Sequence, residues 1–187
     1  MIAIMSAKII THLLPKAVAR KSFAKREHLF HGGDPVRVLF LVANGCVHLV
    51  RYQADGNPAI LQRATSETIL AEASLFSERY HCDAVATTTT EALLVPIGDV
   101  RSLLEHDAAF AAEWMAHLSR ELQSARKRAE IATLKTVGAR LSAWLAWNDG
   151  ELPPKGQWRG VADEIGVSAE ALYREISRLR RTSSWGR

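Results

Sequence analysis

The residues whose types and spacing best suit a chemical role lie near the carboxyl end of the chain, and the role they suit is recognition of a partner through polar contacts. At about 100° per residue, a helix beginning near residue 168 presents Glu170, Arg174 and Ser177 on one side. A carboxylate, a guanidinium and a hydroxyl on one face can bond to the base edges and phosphates of a DNA duplex. The pattern therefore predicts a helix that reads DNA.

A shorter helix and a sharp turn precede this face. The apolar residues of the shorter helix recur at i, i+3, i+4 and i+7, and they are Trp158, Val161, Ala162 and Ile165. Gly166 can adopt the positive φ of a turn between helices, and Ser168 is a favourable N-cap for the second helix. These features predict a helix-turn-helix whose second helix spans residues 168–181, with an ordinary helical hairpin as the alternative for this segment alone. The candidate DNA-contacting residues are Ser168, Ala169, Glu170, Tyr173, Arg174, Ser177 and Arg178.

The composition is that of a globular protein with an uneven distribution of charge. The 187 residues are 48% hydrophobic and 24% charged, with a net charge of +4. Residues 1–119 carry 11 Lys and Arg against 12 Asp and Glu, whereas residues 120–187 carry 13 against 8. The basic excess therefore lies in the part that carries the predicted helix-turn-helix, as phosphate binding requires.

The sequence does not indicate several other classes of protein. Cys46 and Cys82 have no CxxC spacing, which excludes a disulfide framework or a four-cysteine cluster and indicates a reducing compartment. No apolar run approaches the roughly 18–20 residues of a membrane span, and no signal-peptide pattern is present, so we expect a cytoplasmic protein with no membrane partner. Because GxSxG, HExxH and phosphate-loop motifs are missing, we expect no enzyme, no catalytic residue, no metal site and no cofactor.

The first part of the chain, residues 1–105, is rich in short strand signals. The β-rich runs 38–42 and 46–52 are separated by Asn44-Gly45, which favours a tight hairpin turn, and Asp55-Gly56 is a second turn signal. Many short strands at near-regular spacing predict a β-roll or jelly roll.

A long helix without proline is predicted within residues 106–136, because apolar residues recur there at steps of three and four. A β-roll before this helix and a small helical unit after it leave little to cover the apolar stripe. We therefore expect a second copy of the same helix to bury it, giving a homodimer. The predicted interface residues are Trp114, Leu118, Leu122, Ala125 and Ala129. Gly138 is a predicted break before the next helix, 139–147, in a DNA-binding domain at 137–187.

The order of a β-roll, a long helix and a C-terminal helix-turn-helix resembles the family of the cyclic AMP receptor protein and FNR, the CRP/FNR regulators of bacterial transcription. The segments that carry the resemblance are 29–35, 40–47, 71–76, 134–141 and 167–174. The resemblance implies an α+β fold in which the roll senses an effector and the long helix dimerises. It also implies that the helix-turn-helix reads a palindromic operator in double-stranded DNA, with RNA polymerase as a further partner.

The effector segment departs from the family members that bind a cyclic nucleotide. Those members carry Gly-Glu-x-x-Leu-Phe and then, after a short loop, Arg-Ser-Ala, in which the glycine and the arginine hold the phosphate. Here Ala71, Cys82 and Asp83 stand in the places of the glycine, arginine and serine. We therefore expect that cyclic AMP is not the effector, whose identity stays open; haem with His81 or Cys82 as axial ligand is one alternative. The resemblance implies an effector pocket at Glu72, Ser74, Cys82 and Asp83.

The carboxyl terminus departs from the family as well. Members follow the recognition helix with a two-stranded wing, and residues 180–187 are too few for one, so either the protein lacks a complete wing or the sequence has been cut before it. Ala169 stands where many members carry Arg or another polar residue. A regulatory module that keeps the fold but binds a protein partner is therefore the alternative to a DNA-binding transcriptional regulator.

Overall fold

The computed structural model describes residues 2–53, 56 and 58–182. The chain divides into two compact units, Met1–Arg120 and Glu121–Arg187, and the boundary falls within a long helix. The finer division into a sensor domain, a dimerisation helix and a DNA-binding domain stays a prediction.

The first unit is built around two antiparallel sheets. Its eight strands, counted over the described residues, are β1 (Ala19–Phe23), β2 (His28–Phe30), β3 (Val38–Asn44), β4 (Cys46–Tyr52), β5 (Pro58–Thr65), β6 (Ile69–Leu70), β7 (Asp83–Ala86) and β8 (Thr90–Pro96). One sheet has the order β1-β8-β3-β6 and the other the order β2-β7-β4-β5. The predicted α+β class with an N-terminal β-roll and a long helix is confirmed.

Strand β3 is buried on both faces because its side chains alternate between two hydrophobic clusters. Phe40 and Val42 pack in the cluster between the two sheets. Leu39 and Leu41 point the other way and pack in a cluster formed with helices. This arrangement explains why the sequence of β3 is an uninterrupted apolar run rather than an alternation of apolar and polar residues.

Helices cover the second face of that strand. They are α1 (Ile2–Leu13), α2 (Ile97–His106) and the beginning of α3 (Ala108–Thr133). The residues that these helices bury against β3 are Ile9, Leu13, Ile97, Val100, Phe110 and Trp114. The start of α3 is therefore part of the core of the first unit.

The tight turn at Asn44-Gly45 is present, but the predicted hairpin is wrong. Strands β3 and β4, which flank the turn, belong to different sheets, so the turn carries the chain from one sheet to the other. Gly45 has a φ of 94°, and a Cβ at this position would lie 2.5 Å from the carbonyl oxygen of Thr89. Glycine is required there both for its backbone conformation and for the space it leaves. At the second turn signal, Gly56 has a φ of 79° and the flanking strands β4 and β5 are paired, while Asp55 lies outside the described residues.

The second unit is helical over its described residues. After the end of α3 come α4 (Val137–Trp147), α5 (Trp158–Glu164) and α6 (Ala169–Thr182). Their shared core includes the indoles of Trp144 and Trp158. The indole of Trp144 donates to a carboxylate oxygen of Glu164 at 2.7 Å, and that of Trp158 donates to the carbonyl of Pro153 at 2.8 Å. Both buried indoles are therefore satisfied.

Gly138 lies inside α4, so the predicted helix break at this residue is wrong. The chain leaves helical geometry before it, at 134–136, and the hydroxyl of Thr136 caps α4 by accepting a hydrogen bond from the Ala139 amide at 3.1 Å. A Cβ at Gly138 would lie 2.5 Å from a carboxylate oxygen of Glu175. The glycine thus permits close packing of α4 on α6. Among the described residues, the chain forms no helix that is both long and apolar enough to cross a membrane.

Candidate nucleic-acid interface and effector region

Helices α5 and α6 meet at a sharp turn. Gly166 has a φ of 65°, and the hydroxyl of Ser168 accepts a hydrogen bond from the Ala171 amide at 3.1 Å, which caps α6. The apolar stripes predicted for the two helices are buried, namely Trp158, Val161, Ala162 and Ile165 of the first and Leu172 and Ile176 of the second, while Leu179 is partly buried. The two helices therefore bury one side in common and leave the other side of α6 free.

Arg140 of α4 holds the turn between α5 and α6. Its guanidinium donates to the carbonyl oxygens of Ile165 at 3.1 Å and Gly166 at 2.9 Å. The same group donates to the carbonyls of Leu134 at 2.8 Å and Ala132 at 3.0 Å. One rigid, planar donor thus joins the end of α3, α4 and the turn. The sequence resemblance includes this arginine but gives it no role, since its carbonyl partners depend on tertiary structure.

The outer side of α6 is a polar, exposed face. Glu170, Arg174, Ser177 and Arg181 are exposed and line an open groove with a volume of about 650 Å³. Within the described part of the chain, Arg174 forms no ion pair with another side chain, so its donors are available to an acceptor outside the protein. This face has the donors and acceptors that base edges and phosphates require.

Arg178 borders the same groove but is engaged with Glu175. Its Nε and Nη2 atoms donate to the two carboxylate oxygens of Glu175 at 3.0 Å and 2.6 Å. The hydrogen bonds from Arg178 lower the pKa of the Glu175 carboxyl, and the same bonds raise the pKa of Arg178. Because the Glu175 side chain is only 14% exposed, it fixes the position of the guanidinium at the edge of the groove.

Two of the predicted DNA-contacting residues are partly buried against the core of their own unit, although Tyr173 also lines the groove. The ring of Tyr173 lies 5.2 Å from that of Trp158, and its hydroxyl donates to the carbonyl of Lys155 at 3.4 Å. Ala169 is half-buried against the same hydrophobic cluster. The outward residues of the first turns of α6 are therefore Glu170 and Arg174.

In the first unit, the segment after β6 has the backbone of a glycine turn without a glycine. Ala71 has φ and ψ of 72° and 14°, in the left-handed region that an L-residue rarely occupies. Glu72 and Ser74 follow in a 3-10 turn, and the buried hydroxyl of Ser74 lies 3.0 Å from Nδ1 of His81. Ala71 thus adopts a left-handed conformation at the position where the family resemblance implies a glycine.

Cys82 and Asp83 lie at the start of β7, where the family resemblance implies an arginine and a serine. Burial raises the pKa of the Cys82 thiol; the nearby Arg51 guanidinium acts against this rise, and the Asp83 and Glu72 carboxylates add to it. The carboxylate of Asp83 accepts a hydrogen bond from the Gly32 amide at 2.6 Å. The structure therefore brings Glu72, Cys82 and Asp83 together, with two carboxylates and the guanidinium of Arg51 near the thiol.

Helix α3 carries the predicted interface residues. Leu118, Leu122, Ala125 and Ala129 are exposed. Met115, which is 63% exposed, extends the same line toward the start of the helix. Trp114, in contrast, is 2% exposed and packs against Phe110 inside the first unit. The uncovered apolar line of α3 therefore includes Met115 and leaves out Trp114.

Comparison with known proteins identifies the roll. Residues 20–107 match the family described as cyclic nucleotide-binding domain. The global nitrogen regulator of a Nostoc species is 24% identical over 168 residues, which cover 87% of this chain and 74% of that protein.

Solved structures share the fold. FixK2 from Bradyrhizobium japonicum superposes with a TM-score of 0.70 at 22% identity, over 87% of this chain and 84% of that one. A CRP-family transcriptional regulator from Thermus thermophilus superposes with a TM-score of 0.61 at 19% identity, over 86% of this chain and 84% of that one. Each likeness covers most of both chains and concerns the fold.

Proposed function

We propose that this chain is a transcriptional regulator of the CRP/FNR family, which works as a homodimer and binds a palindromic DNA operator through α6. The observation that carries this proposal is the exposed polar face of α6, set on a capped and buried helix-turn-helix. Such a protein acts in the cytoplasm, where the bacterial chromosome lies, with RNA polymerase as a further partner.

Different side chains at α6 contact the bases and the phosphates of the operator. When the start of the helix enters the major groove, Glu170 accepts from the N4 amino group of cytosine. Arg174, one turn further along, donates to O6 and N7 of guanine. Ser168 and Arg178 lie at the margins of this face, where a hydroxyl and a fixed guanidinium suit phosphate oxygens.

Rigid support for α6 favours reading of bases over loose attachment to phosphates. Arg140 fixes the turn before α6, and Tyr173 anchors the helix against Trp158. Base contacts have narrow distance and angle requirements, so a helix held from two sides lowers the cost of meeting them.

The dimer follows from the spacing of the apolar line on α3. Met115, Leu118, Leu122, Ala125 and Ala129 are separated by alternating steps of three and four, the seam of a coiled coil. A second copy of α3 removes the exposed leucines from water, and the alanines allow the helices to approach closely. Two α6 helices then enter successive major grooves about 34 Å apart, which requires a two-fold symmetric operator.

The DNA-binding role is tested by selecting bound duplexes from a random pool with the full chain. We expect a palindrome, and we expect Arg174→Ala to cost about 1–3 kcal/mol per half-site and to relax the preference at one position. Arg63→Ala is the matched control, since it removes an exposed arginine from β5 of the roll. A uniform loss for all sequences with a flatter salt dependence would mean that Arg174 contacts phosphate instead.

The competing role is that of a module that binds a protein partner. The partial burial of Ala169 and Tyr173 favours it, because it leaves α6 with few fully exposed side chains that can read bases. An Arg174→Ala protein that binds every duplex as tightly as its parent would remove the recognition role and leave the partner-binding module as the better explanation.

The homodimer is tested by sedimentation of the full chain. Leu118→Glu combined with Leu122→Glu should give a monomer, because a charge buried in the seam has no partner. Gln123→Glu, one residue along the same helix, is the control and should leave the dimer intact. A parent protein that sediments as a monomer at micromolar concentration would contradict the proposal.

A further inference from the structure

Three side chains that commonly bind metal ions meet at one end of the roll. Strand β2 pairs antiparallel with β7, with His28 opposite Val85, and this pairing brings His28 and the following His31 beside Asp83. Nε2 of His28 lies 3.9 Å from Oδ2 of Asp83, and Nδ1 of His31 lies 4.0 Å from Oδ1. The three ligand atoms all lie within 4.8 Å of one another.

We propose that His28, His31 and Asp83 bind one divalent transition-metal ion of the first row, such as Zn²⁺, with solvent completing its coordination. Two imidazoles and one carboxylate are a donor set that such ions take, leaving open positions. Bonds near 2.1 Å place ligand atoms about 3.0–3.4 Å apart, so small side-chain rotations close the present gaps. This site goes beyond the DNA-binding role and does not rest on it.

A hydrogen bond and ring stacking orient the three side chains. Oδ1 of Asp83 accepts the Gly32 amide at 2.6 Å, which leaves Oδ2 and the remaining lone pairs of Oδ1 for an ion. The rings of His28 and His31 stack with centroids 4.1 Å apart at an angle of 26°. The pairing of β2 with β7 shifts register between His28 and Phe30. Irregularities of this kind change the direction of the side chains beside them.

The loop that carries His31 is tied to the segment before β7. The Gly33 amide donates to the carbonyl of Tyr80 at 2.8 Å, and the Arg79 guanidinium donates to the carbonyl of Gly33 at 2.6 Å. The His31 amide in turn donates to the Asp34 carboxylate at 2.9 Å. Hydrogen bonds from backbone and side-chain groups therefore hold the loop of His31 near the segment that leads to Asp83, as outer hydrogen bonds around metal ligands do.

An ion can reach the site from water. The side chains of His28, His31 and Asp83 are 30%, 59% and 19% exposed. The carboxylate supplies a negative charge that partly neutralises the ion, while the exposed side leaves room for water ligands.

The test uses the full chain, purified without a polyhistidine tag and stripped with a chelator. Calorimetry with Zn²⁺ alone should show one ion bound per chain. His28→Gln, His31→Gln and Asp83→Asn should each weaken binding by about tenfold or more. The Asp83→Asn side chain still accepts the Gly32 amide, so this variant keeps the hydrogen bond that orients it. With Cu²⁺ as the probe, electron paramagnetic resonance should show coupling to the nitrogens of two imidazoles.

Two controls separate this site from other donors. His106→Gln removes an exposed histidine on α2, and Cys82→Ser removes the thiol beside Asp83; both should bind Zn²⁺ as the parent does. A parent that binds no Zn²⁺, or a triple variant of His28, His31 and Asp83 that binds it equally well, would overturn the proposal. Operator binding by the stripped protein is a separate measurement, so failure of either proposal is seen independently of the other.

Discussion

Ala71 occupies a backbone conformation that glycine prefers, and Ala71→Gly should therefore be nearly neutral even though it removes a buried methyl group. The left-handed conformation costs an L-residue about 1–2 kcal/mol, which glycine relieves. Loss of the methyl group costs about 0.8 kcal/mol. The greater freedom of glycine in the unfolded chain costs about 0.5–1 kcal/mol more. These contributions cancel to within about 1 kcal/mol.

Ala64→Gly is the matched control. Ala64 is fully buried in β5 and pairs with Val47 of β4, so it loses the same methyl group without relief of backbone strain. This variant should lose about 1.5 kcal/mol. Amide hydrogen exchange of β3 and β8, followed against urea concentration by mass spectrometry, reports on the first unit alone. An Ala71→Gly protein that loses as much stability as Ala64→Gly would refute the reasoning, because no strain would have been relieved.

Three further predictions concern the effector region, α6 and the turn between the sheets. Cyclic AMP and cyclic GMP should bind weakly or not at all in calorimetry, and Cys82→Arg with Asp83→Ser should improve any residual binding; low-micromolar affinity of the parent would contradict this. The pKa of Glu175 is lowered in the folded protein, so its contribution to stability is present above the unfolded pKa and is lost as pH falls through the folded value. Thermal unfolding of Glu175→Gln should therefore depend less on acid pH than that of the parent, and an equal dependence would show that the ion pair contributes nothing. Backbone strain alone should make Gly45→Ala destabilise the first unit by about 1–3 kcal/mol, and the loss should be larger because the new Cβ also meets the carbonyl oxygen of Thr89. Amide hydrogen exchange in urea measures the loss, and a loss below that range would contradict the steric clash.

The local features of the fold could be predicted from the sequence, because they depend on neighbours along the chain. The buried stripes of α5 and α6, the cap at Ser168 and the turn at Gly166 all follow from helical spacing and residue type. The partner of each strand could not be predicted in this way. Asn44-Gly45 encodes a sharp turn, but whether the flanking strands pair is decided by the other strands that compete for their edges.

The same limit applies to the candidate sites. Glu170 and Arg174 were predicted to be outward-facing because their angle on a helix is fixed by spacing, whereas the partial burial of Tyr173 depends on contact with Trp158. Gly138 was predicted to break a helix because glycine often ends helices. Its role inside α4 could not be predicted, because the space it leaves is for Glu175 on another helix. The proposed metal site could not be predicted from the sequence, since its histidines and Asp83 are distant in sequence and the pairing of β2 with β7 brings them together.

One residue, Asp83, bears both on the expected absence of cyclic nucleotide binding and on the proposed metal site. Asp83 stands where the family resemblance implies a serine, and its carboxylate is held by the Gly32 amide beside two imidazoles. At 4 Å and an effective dielectric constant near 20, two unit charges interact by about 4 kcal/mol. That energy opposes a phosphate at this point and favours a cation by a comparable amount. The buried thiol of Cys82 stands where the family resemblance implies an arginine, so the cation that lies near this thiol is the guanidinium of Arg51 on β4. Of the three departures that argue against a cyclic nucleotide, Asp83 is thus the one that also serves the proposed metal site.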